Sequence, residues 1–224
     1  MNVTIAAHVV IESGVTISDN VSIGPGCYIG SGSSIGSHTV LDSNVTVYHD
    51  VIIGECAMVN SGTVIGTDGF GNANERGEWI KIIQSGSVNI GDRVRIGSCT
   101  TIDRGAIEDT KVAHDVIIGN QCQIAHNVQI GNNTAVSNGV GMAGSLSLGS
   151  HCNVDDGSTL NGHIDICDHV NISKMAMVMS PITHPGDYRS GIPAQEHQDS
   201  LMTQGLILNL EDMHRHINIL YKNC

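Results

Sequence analysis

Aromatic side chains are scarce in this 224-residue sequence, which contains one Phe and one Trp and is only 3% aromatic. An ordinary globular core of this length would use more of them to fill its volume. Charged residues are also few, at 14%, whereas glycine is frequent, with 27 residues. This composition is typical of many short strands joined by tight turns.

Positive charge is in short supply as well. Ten Lys and Arg stand against 22 Asp and Glu, which gives a formal net charge of −12. Nucleic-acid binding needs clustered cations and is helped by stacking aromatics, so we expect no nucleic-acid partner.

No apolar stretch reaches the ~20 residues of a membrane span, and no signal-peptide segment opens the chain. The seven cysteines lack a CxxC pair, which predicts reduced, mostly packed thiols in a cytoplasmic protein.

A period of six residues dominates the chain. Aliphatic residues occupy every sixth position from Ile5 to Ile65, then Ile90, Ile96 and Ile102, and every sixth position from Val112 to Val178. A helix repeats about every 3.6 residues and a strand about every 2, so neither alone explains this spacing. A short strand followed by a turn does. Three such six-residue units make one 18-residue turn, and the pattern predicts an all-β solenoid of roughly nine turns.

Two segments interrupt the period. Residues 67–87 contain Phe70 and Trp79, the only Phe and Trp of the chain, and are predicted to form a loop that projects outward. Residues 104–110 shift the period by four and are predicted to form a smaller bulge. The repeat ends after Val178, so we expect a solenoid domain over residues 1–183 and a C-terminal segment over residues 184–224.

The C-terminal segment carries a helical pattern. Apolar residues recur there at spacings of four and three, at Leu206, Leu210, Met213, Ile217 and Leu220. This predicts an α-helix with a narrow apolar seam, as in a coiled coil. The seam either packs on the solenoid of its own chain or bundles with symmetry mates, and its narrowness favours the bundle.

Stacking in steps of 18 residues brings distant side chains together. Gly144 lies 18 residues after His126, and His163 lies 37 after it, so all three are predicted to share one outer ridge near a corner. A histidine can take a proton from a nucleophile near neutral pH, and a glycine leaves its N–H open to a developing oxyanion. This arrangement suits acyl transfer from a thioester. Because the chain has 12 histidines, an ordinary exposed corner histidine is the alternative.

Several segments follow one another in a recognisable order. They are GTDGFGNANERGEWIKI, IGSCTTIDRGAIEDT, NQCQIAHNVQIG, MAGSL, NGHIDICD, MAMVMSPIT and SGIP. Together they resemble the UDP-3-O-acylglucosamine N-acyltransferases of lipid A biosynthesis. The resemblance implies a left-handed parallel β-helix of hexapeptide repeats that forms a homotrimer with active sites between neighbouring chains. It implies transfer of a 3-hydroxyacyl chain from acyl carrier protein to the 2-amino group of a UDP-3-O-acylglucosamine.

The same resemblance assigns roles to individual residues. It makes His126 the general base, gives Gly144 the oxyanion N–H, and makes His163 an assistant in substrate binding or charge balance. Further positions are implied near the sugar (Asn120 and Gln123) and in the wall of the acyl channel (Met175, Met177 and Met179). The implied transfer is direct, with no metal and no bound cofactor, and the phosphopantetheine thioester of the carrier is a co-substrate. Cys122 is expected to be a core residue.

Three features depart from the family pattern. Family members usually begin with a uridine-binding domain, whereas Val3 and Ile5 already belong to the first repeat, so nucleotide binding could differ here. Gly119 stands where the family usually has Asp, and Ser180 where it usually has Arg. Because acyl carrier protein is acidic, we expect weak, salt-sensitive docking through the remaining candidate cations, which are Lys174, Arg189, Arg215 and Lys222.

Three other interpretations of the sequence stay open. The first is an acyl-CoA-dependent N-acyltransferase acting on a nucleotide amino sugar, with the same fold and base. The second is a degenerate homologue that only oligomerises or scaffolds. The third is a metal site like that of the γ-class carbonic anhydrases, which would need zinc ligands from a neighbouring chain because His126 and His163 are expected to lie too far apart.

Overall fold

A computed structural model of the protein describes residues 2–191 and 193–222. Two compact units make up the chain: the first ends at Ser190 and the second begins at Gly191. Leu220 and Lys222 lie in a helix, but their side chains are outside the described part, as are Asn223 and Cys224. The sequence-based interpretations of Leu220 as a seam residue, Lys222 as a docking cation and Cys224 as a thiol therefore concern side chains outside the described residues.

The first unit is built from very short strands. In chain order they are β1 (Thr4–Ile5), β2 (Val10–Ile11), β3 (Thr16–Ile17), β4 (Ser22–Ile23), β5 (Tyr28–Ile29), β6 (Ser34–Ile35), β7 (Val40–Leu41), β8 (Thr46–Val47), β9 (Ile52–Ile53), β10 (Met58–Val59), β11 (Val64–Thr67), β12 (Asn72–Glu75), β13 (Glu78–Lys81), β14 (Val88–Ile90), β15 (Arg95–Ile96), β16 (Thr101–Asp103), β17 (Thr110–Val112), β18 (Ile117–Ile118), β19 (Gln123–Ile124), β20 (Gln129–Ile130), β21 (Ala135–Val136), β22 (Gly141–Met142), β23 (Ser147–Leu148), β24 (Asn153–Val154), β25 (Thr159–Leu160), β26 (Asp165–Ile166), β27 (Val170–Ile172), β28 (Met177–Val178) and β29 (Gly186–Tyr188).

These strands form three parallel sheets that the chain visits in turn. Wall A has ten strands (β1, β4, β7, β10, β15, β18, β21, β24, β27, β29), wall B nine (β2, β5, β8, β11, β16, β19, β22, β25, β28) and wall C eight (β3, β6, β9, β14, β17, β20, β23, β26). In the first turns each residue pairs with the one 18 positions later, as Thr4 does with Ser22. The predicted parallel β-solenoid is confirmed, with about ten turns. Its left-handedness stays a prediction taken from the family resemblance.

Both interruptions project out of the solenoid, and the strands before and after each of them still pair with one another. Across the first, Met58 pairs with Arg95, a step of 37 residues in place of 18, so 19 residues are accommodated outside the walls. Part of this insertion is the antiparallel hairpin β12–β13. Across the second, Arg95 pairs with Ile117, a step of 22, so four residues bulge out. The predicted outward loop and smaller bulge are both confirmed.

One corner of the solenoid carries both interruptions. The loop follows β11 of wall B and precedes β14 of wall C, and the bulge lies between β16 and β17 of the same two walls. His126, Gly144 and His163 also lie between a strand of wall B and the next strand of wall C. We call this edge the B–C corner.

The repeated aliphatic positions form the core. Ile53 is 1% exposed, and the equivalent residues from Ile23 to Val178 are likewise buried, whereas Ile5 of the first turn is 49% exposed. Cys122 is buried and its Sγ lies 3.0 Å from the Ser137 carbonyl, which confirms its prediction as a core residue. Cys27 and Cys152 are buried as well, but Cys56 and Cys99 are exposed, so the expectation of mostly packed thiols holds only in part.

The second unit contains two helices where the pattern predicts one: α1 (His197–Leu208) and α2 (Leu210–Lys222). The Glu196 side chain caps the start of α1 by accepting from the Gln198 N–H at 3.0 Å. Asn209 is the C-terminal cap of α1: its ψ has turned to 4°, and its Nδ2 donates to the Gly205 carbonyl at 2.7 Å. Among the described residues, neither helix is long and apolar enough to cross a membrane.

Candidate active site

His126 lies half-buried at the B–C corner, between β19 and β20. Its Nδ1 is 3.1 Å from Oδ1 of Asn127. An amide oxygen can only accept, so the neutral imidazole carries its proton on Nδ1 and keeps a lone pair on Nε2. The ring is therefore set up to accept a proton at Nε2.

Asn127 owes its orientation to the four-residue bulge. Its Oδ1 accepts from the Ala106 N–H at 2.9 Å, and its Nδ2 donates to the Glu108 carbonyl at 2.7 Å. Its own N–H donates to Oγ1 of Thr110 at 2.8 Å. These backbone partners leave the amide one orientation, with its oxygen toward His126. The bulge thus fixes the histidine tautomer, a role that no sequence pattern suggests.

Two glycines lie against the imidazole. A Cβ placed on Gly144, one turn above, would lie 2.5 Å from Nε2 of His126. A Cβ on Gly69, in the inserted loop, would lie 2.9 Å from the histidine Cβ. Both contacts are shorter than real Cβ contacts, so a side chain at either position would displace the imidazole. Among the described residues, no acceptor takes a hydrogen bond from the Gly144 N–H.

Asp103 is the site residue that sequence reasoning misses. It ends β16, is 6% exposed, and its Oδ2 accepts from Nε2 of Gln123 at 2.9 Å. Burial raises its pKa from 3.8 to about 6, although the Gln123 hydrogen bond and the charge of His126 oppose the shift. One signal was available: on wall B, Asp103 takes the place that Ala125 and Ala143 hold in later turns.

A cleft of about 570 Å³ joins these groups on the outer face of wall B. Its polar end contains Asp103, Gln123 and His126, and Phe70 of the inserted loop forms part of its wall. Its floor is made of small residues, Gly141, Ala143 and Gly144, with Thr159 and Leu160 in the next turn. The cleft can hold a polar reacting group beside an apolar chain.

His163 lies at the same corner but in a different column of residues. It has a positive φ of 56°, as do Asn127 (59°) and Ser145 (61°) in the turns below. The residue that stacks above His126 and Gly144 is Gly162, whose Cβ would lie 2.5 Å from the Gly144 carbonyl. His163 donates its N–H to that carbonyl at 3.1 Å and does not line the cleft.

Asn120 lies away from the cleft, at the corner between β18 of wall A and β19 of wall B. Its Oδ1 accepts from the Ser98 N–H at 2.7 Å, and its own N–H donates to Oδ1 of Asn138 at 2.9 Å. These bonds tie successive turns together. Within one chain, the structure brings together His126, Gly144 and Gln123 and leaves Asn120 and His163 outside the cleft.

The three methionines are exposed, and Met177 lies one turn above the cleft. Met177 of β28 pairs with Thr159 of β25, which is a cleft residue. Met179 follows on the same side, where its carbonyl accepts from Nδ2 of Asn161 at 3.4 Å, and Met175 occupies a corner with φ 58°. None of the three side chains is buried in the solenoid core.

The candidate docking cations lie elsewhere on the chain. Lys174 and Arg189 are exposed on the first unit, whereas Arg215 of α2 lies 3.5 Å from both Glu211 and Asp212. Within residues 2–191 and 193–222, no group of three or more His, Cys, Asp and Glu is placed to hold a metal ion.

Comparisons with known proteins agree with this architecture. The family model of the bacterial transferase hexapeptide (six repeats) matches residues 2–37 and 32–67. The chain is similar to UDP-N-acetylglucosamine O-acyltransferase (LpxA) from Moraxella catarrhalis, with 25% identity and a TM-score of 0.74 over 94% of this chain and 83% of that one. It is also similar to LpxA from Acinetobacter baumannii (23%, TM-score 0.75, 90% and 77%) and to UDP-N-acetylglucosamine acyltransferase from Campylobacter jejuni (23%, TM-score 0.71, 80% and 68%).

Proposed function

We propose that this protein is a hexapeptide-repeat transferase that moves a 3-hydroxyacyl chain from acyl carrier protein to the 2-amino group of UDP-3-O-acylglucosamine, in lipid A biosynthesis. The observation that carries the proposal is His126, whose Nδ1 proton is held by Asn127 while Nε2 lies against Gly144 in the cleft. The choice of an amine acceptor rests on the sequence motifs.

The reaction is a direct transfer. Nε2 of His126 takes a proton from the amine as its nitrogen attacks the thioester carbonyl. The C–N bond forms, and the Gly144 N–H donates to the oxyanion of the tetrahedral intermediate. The C–S bond then breaks, and the histidine returns its proton to the phosphopantetheine sulfur. The phosphopantetheine thioester is a co-substrate, and no bound cofactor is needed.

An acyl-enzyme intermediate has no suitable nucleophile in this cleft. Cys122 is the cysteine nearest to His126 in sequence, but its side chain is buried in the core. Burial also raises the pKa of its thiol, which disfavours the thiolate that would have to attack. These two properties support direct transfer from donor to acceptor without an acyl-enzyme.

The cleft suits the two halves of such a substrate pair. The sugar and its amine belong at the polar end with Gln123, and His163 and Asn120 remain proposed contacts that a neighbouring chain would have to bring to the site. The acyl chain belongs on the small-residue floor and continues toward Met177 and Met179, whose flexible side chains adapt to a hydrocarbon. Met175 is proposed to complete that wall.

Assembly and location follow from the same proposal. We expect a homotrimer, because the cleft is an open surface of wall B and needs a neighbouring chain to close it. The carrier protein would dock near Lys174 and Arg189. The six described cysteines are free, which supports a cytoplasmic location.

The solved neighbours supply a second candidate. They are named for acylation of UDP-N-acetylglucosamine, and one is named specifically as an O-acyltransferase. Transfer to a sugar hydroxyl would use the same base and the same oxyanion donor. An assay that offers both acceptors, each with carrier-bound and CoA-bound acyl chains, distinguishes these activities from one another.

The base is tested by His126→Ala. We expect acyl transfer to fall by about 10²–10⁴-fold, as when a general base is removed. His151→Ala is the matched control, because His151 is an exposed corner histidine that is stacked on His169 at 5.0 Å and lies away from the cleft. Equal turnover in His126→Ala and wild type would disprove the assignment, and the absence of turnover in wild type would favour a scaffold.

A further inference from the structure

Asp103 stands apart from the other acidic residues of the chain. It is the only buried carboxylate among residues 2–191 and 193–222. Its Oδ2 accepts from Gln123, whereas no described residue donates to Oδ1. Both Asp103 and His126 line the cleft. A buried carboxylate with one unused oxygen toward a cleft calls for a ligand that can donate to it.

Among the described residues, no Lys or Arg side chain pairs with this carboxylate. The adjacent Arg104 turns away, since its Nε donates to the Gly86 carbonyl at 2.8 Å and its Nη2 to the His49 carbonyl at 3.0 Å. Lys81 of the inserted loop pairs with Asp68. Burial of an unpaired carboxylate is costly, so a positively charged ligand is the natural partner.

An amine acceptor arrives as such a cation. Amines of the α-amino type have a pKa of about 8, so at neutral pH the acceptor is mostly R–NH₃⁺. Its acylation by R′CO–SR″ gives R–NH–COR′, R″SH and one released proton. The ammonium thus loses two protons from nitrogen, of which His126 returns one to the leaving sulfur. A hydroxyl acceptor loses only one proton, and none is released.

We propose that Asp103 binds the ammonium form of the acceptor and takes its first proton, which leaves His126 free to take the second during attack. This inference rests on the proposed function and names the residue that adapts the site to an amine. After the C–S bond breaks, Asp103 gives its proton to solvent through the open side of the cleft. Its pKa of about 6 supports the role, because it remains ionised at neutral pH yet is a better proton acceptor than an ordinary carboxylate.

The test is the pH profile of Asp103→Asn. Asparagine keeps an oxygen that can accept from Gln123 but can neither pair with an ammonium nor take its proton. We would measure kcat/KM from pH 6 to 9.5 with UDP-3-O-acylglucosamine and 3-hydroxyacyl carrier protein. At pH 7 the variant should lose about tenfold, because only about one amine in ten is then neutral. The loss should shrink with rising pH and vanish above the pKa of the amine.

Two further variants separate this role from a structural one. Asp103→Glu keeps a carboxylate and should keep the wild-type shape of the profile at a reduced rate. Asp165→Asn makes the same carboxylate-to-amide change in exposed β26, outside the cleft, and should match wild type. Asp103→Ser replaces the asparagine variant if the latter does not fold, and the same pH-dependent loss is expected.

Each possible pH profile of Asp103→Asn either supports or overturns the proposed role of Asp103. A loss that is equal at every pH would mean that Asp103 only supports Gln123, and an unchanged profile would overturn its role altogether. In both cases wild-type turnover would leave the proposed function standing. If wild type acylates only the hydroxyl of UDP-N-acetylglucosamine, or neither acceptor, the amine assignment and the role of Asp103 fail together.

Discussion

At the scale of single residues, the site depends on contacts too short to tolerate change. His126 is held between Gly69 and Gly144, and its tautomer is set by Asn127. None of these neighbours needs to be reactive. They determine where Nε2 lies and whether it is free to accept a proton, so substitutions beside the histidine should act through its position.

Gly144→Ala tests this idea. The new Cβ would meet Nε2 of His126 at 2.5 Å, so the ring must move, and a displacement of about 1 Å costs about 10²-fold in rate. We expect kcat to fall by that order with little change in folding. Gly205→Ala, in α1 where a Cβ meets nothing within 4 Å, is the control and should match wild type. A Gly144→Ala enzyme with full kcat would contradict the contact.

Asp103 should make stability depend on pH. Its folded-state pKa of about 6 exceeds the ordinary 3.8, so between these values the folded protein binds more protons than the unfolded chain, and the free energy of unfolding falls as pH rises through this window. The cost at pH 7 is on the order of 3 kcal/mol. Asp103→Asn should therefore melt at a higher temperature than wild type at pH 7 and close to it at pH 4.

Thermal unfolding followed by circular dichroism at several pH values measures this difference. Asp165→Asn again serves as the control, since its carboxylate is exposed. If the difference in melting temperature between Asp103→Asn and wild type is the same at every pH from 4 to 7, the carboxylate has no raised pKa in the folded protein.

At the scale of elements, the inserted loop is held at both ends by one buried residue, through its backbone at one end and its side chain at the other. Arg104 is 2% exposed; its N–H donates to the Thr67 carbonyl at the start of the loop, and its Nε donates to the Gly86 carbonyl at the end. Its Nη1 contacts the ring of His49. The loop in turn brings Gly69 and Phe70 to the cleft, so Arg104 links the bulge to the cover of the site.

Arg104→Met should loosen the loop at its Gly86 end, whereas the backbone bond to Thr67 remains. Methionine fills much of the same space but leaves the carbonyls of Gly86 and His49 without their donors, each at a cost of about 1–3 kcal/mol. We expect the melting temperature to fall and trypsin to cleave faster at Arg76, in the hairpin turn, and at Lys81, at the end of β13. Arg93→Met is the control because Arg93 is an exposed partner of Asp115, and an ion pair in solvent contributes little to stability. Equal cleavage rates in the two variants would rule out this clamp.

At the scale of the whole molecule, burial changes along the solenoid although the repeat does not. Ile5 and Ile53 hold equivalent positions, yet Ile5 is 49% exposed and Ile53 is 1% exposed. The difference arises because each turn buries the one beneath it, and the first turn is covered on one side only.

Ile53→Ala and Ile5→Ala therefore form a matched pair. Removing the buried side chain should cost about 2–5 kcal/mol in the free energy of unfolding, whereas the exposed one should cost a small fraction of that. Denaturant or thermal unfolding measures both. Similar losses at the two positions would mean that the first turn is covered in solution, for example by another chain.

The sequence predicted the regular part of the molecule well. A period of six leaves a chain few options other than a three-walled solenoid, and the positions of both interruptions could be counted from the break in that period. The juxtaposition of His126 and Gly144 followed from the same arithmetic, because both lie beyond the last slip and are one whole turn apart. The prediction of one helix was wrong at Asn209, which is the C-terminal cap of α1.

What the sequence alone determined was therefore the repeat, its core, its interruptions and the stacking of His126 on Gly144, since each depends on local spacing. Tertiary structure decided the rest of the site. Counting the four-residue slip aligns Asp103 with Ala125, but no period shows that its side chain is buried and accepts from Gln123. The contacts of three further residues, Asn127, Arg104 and His163, depend on where side chains point at a corner. That direction is set by positive φ angles and by the path of two irregular segments, and no period describes either.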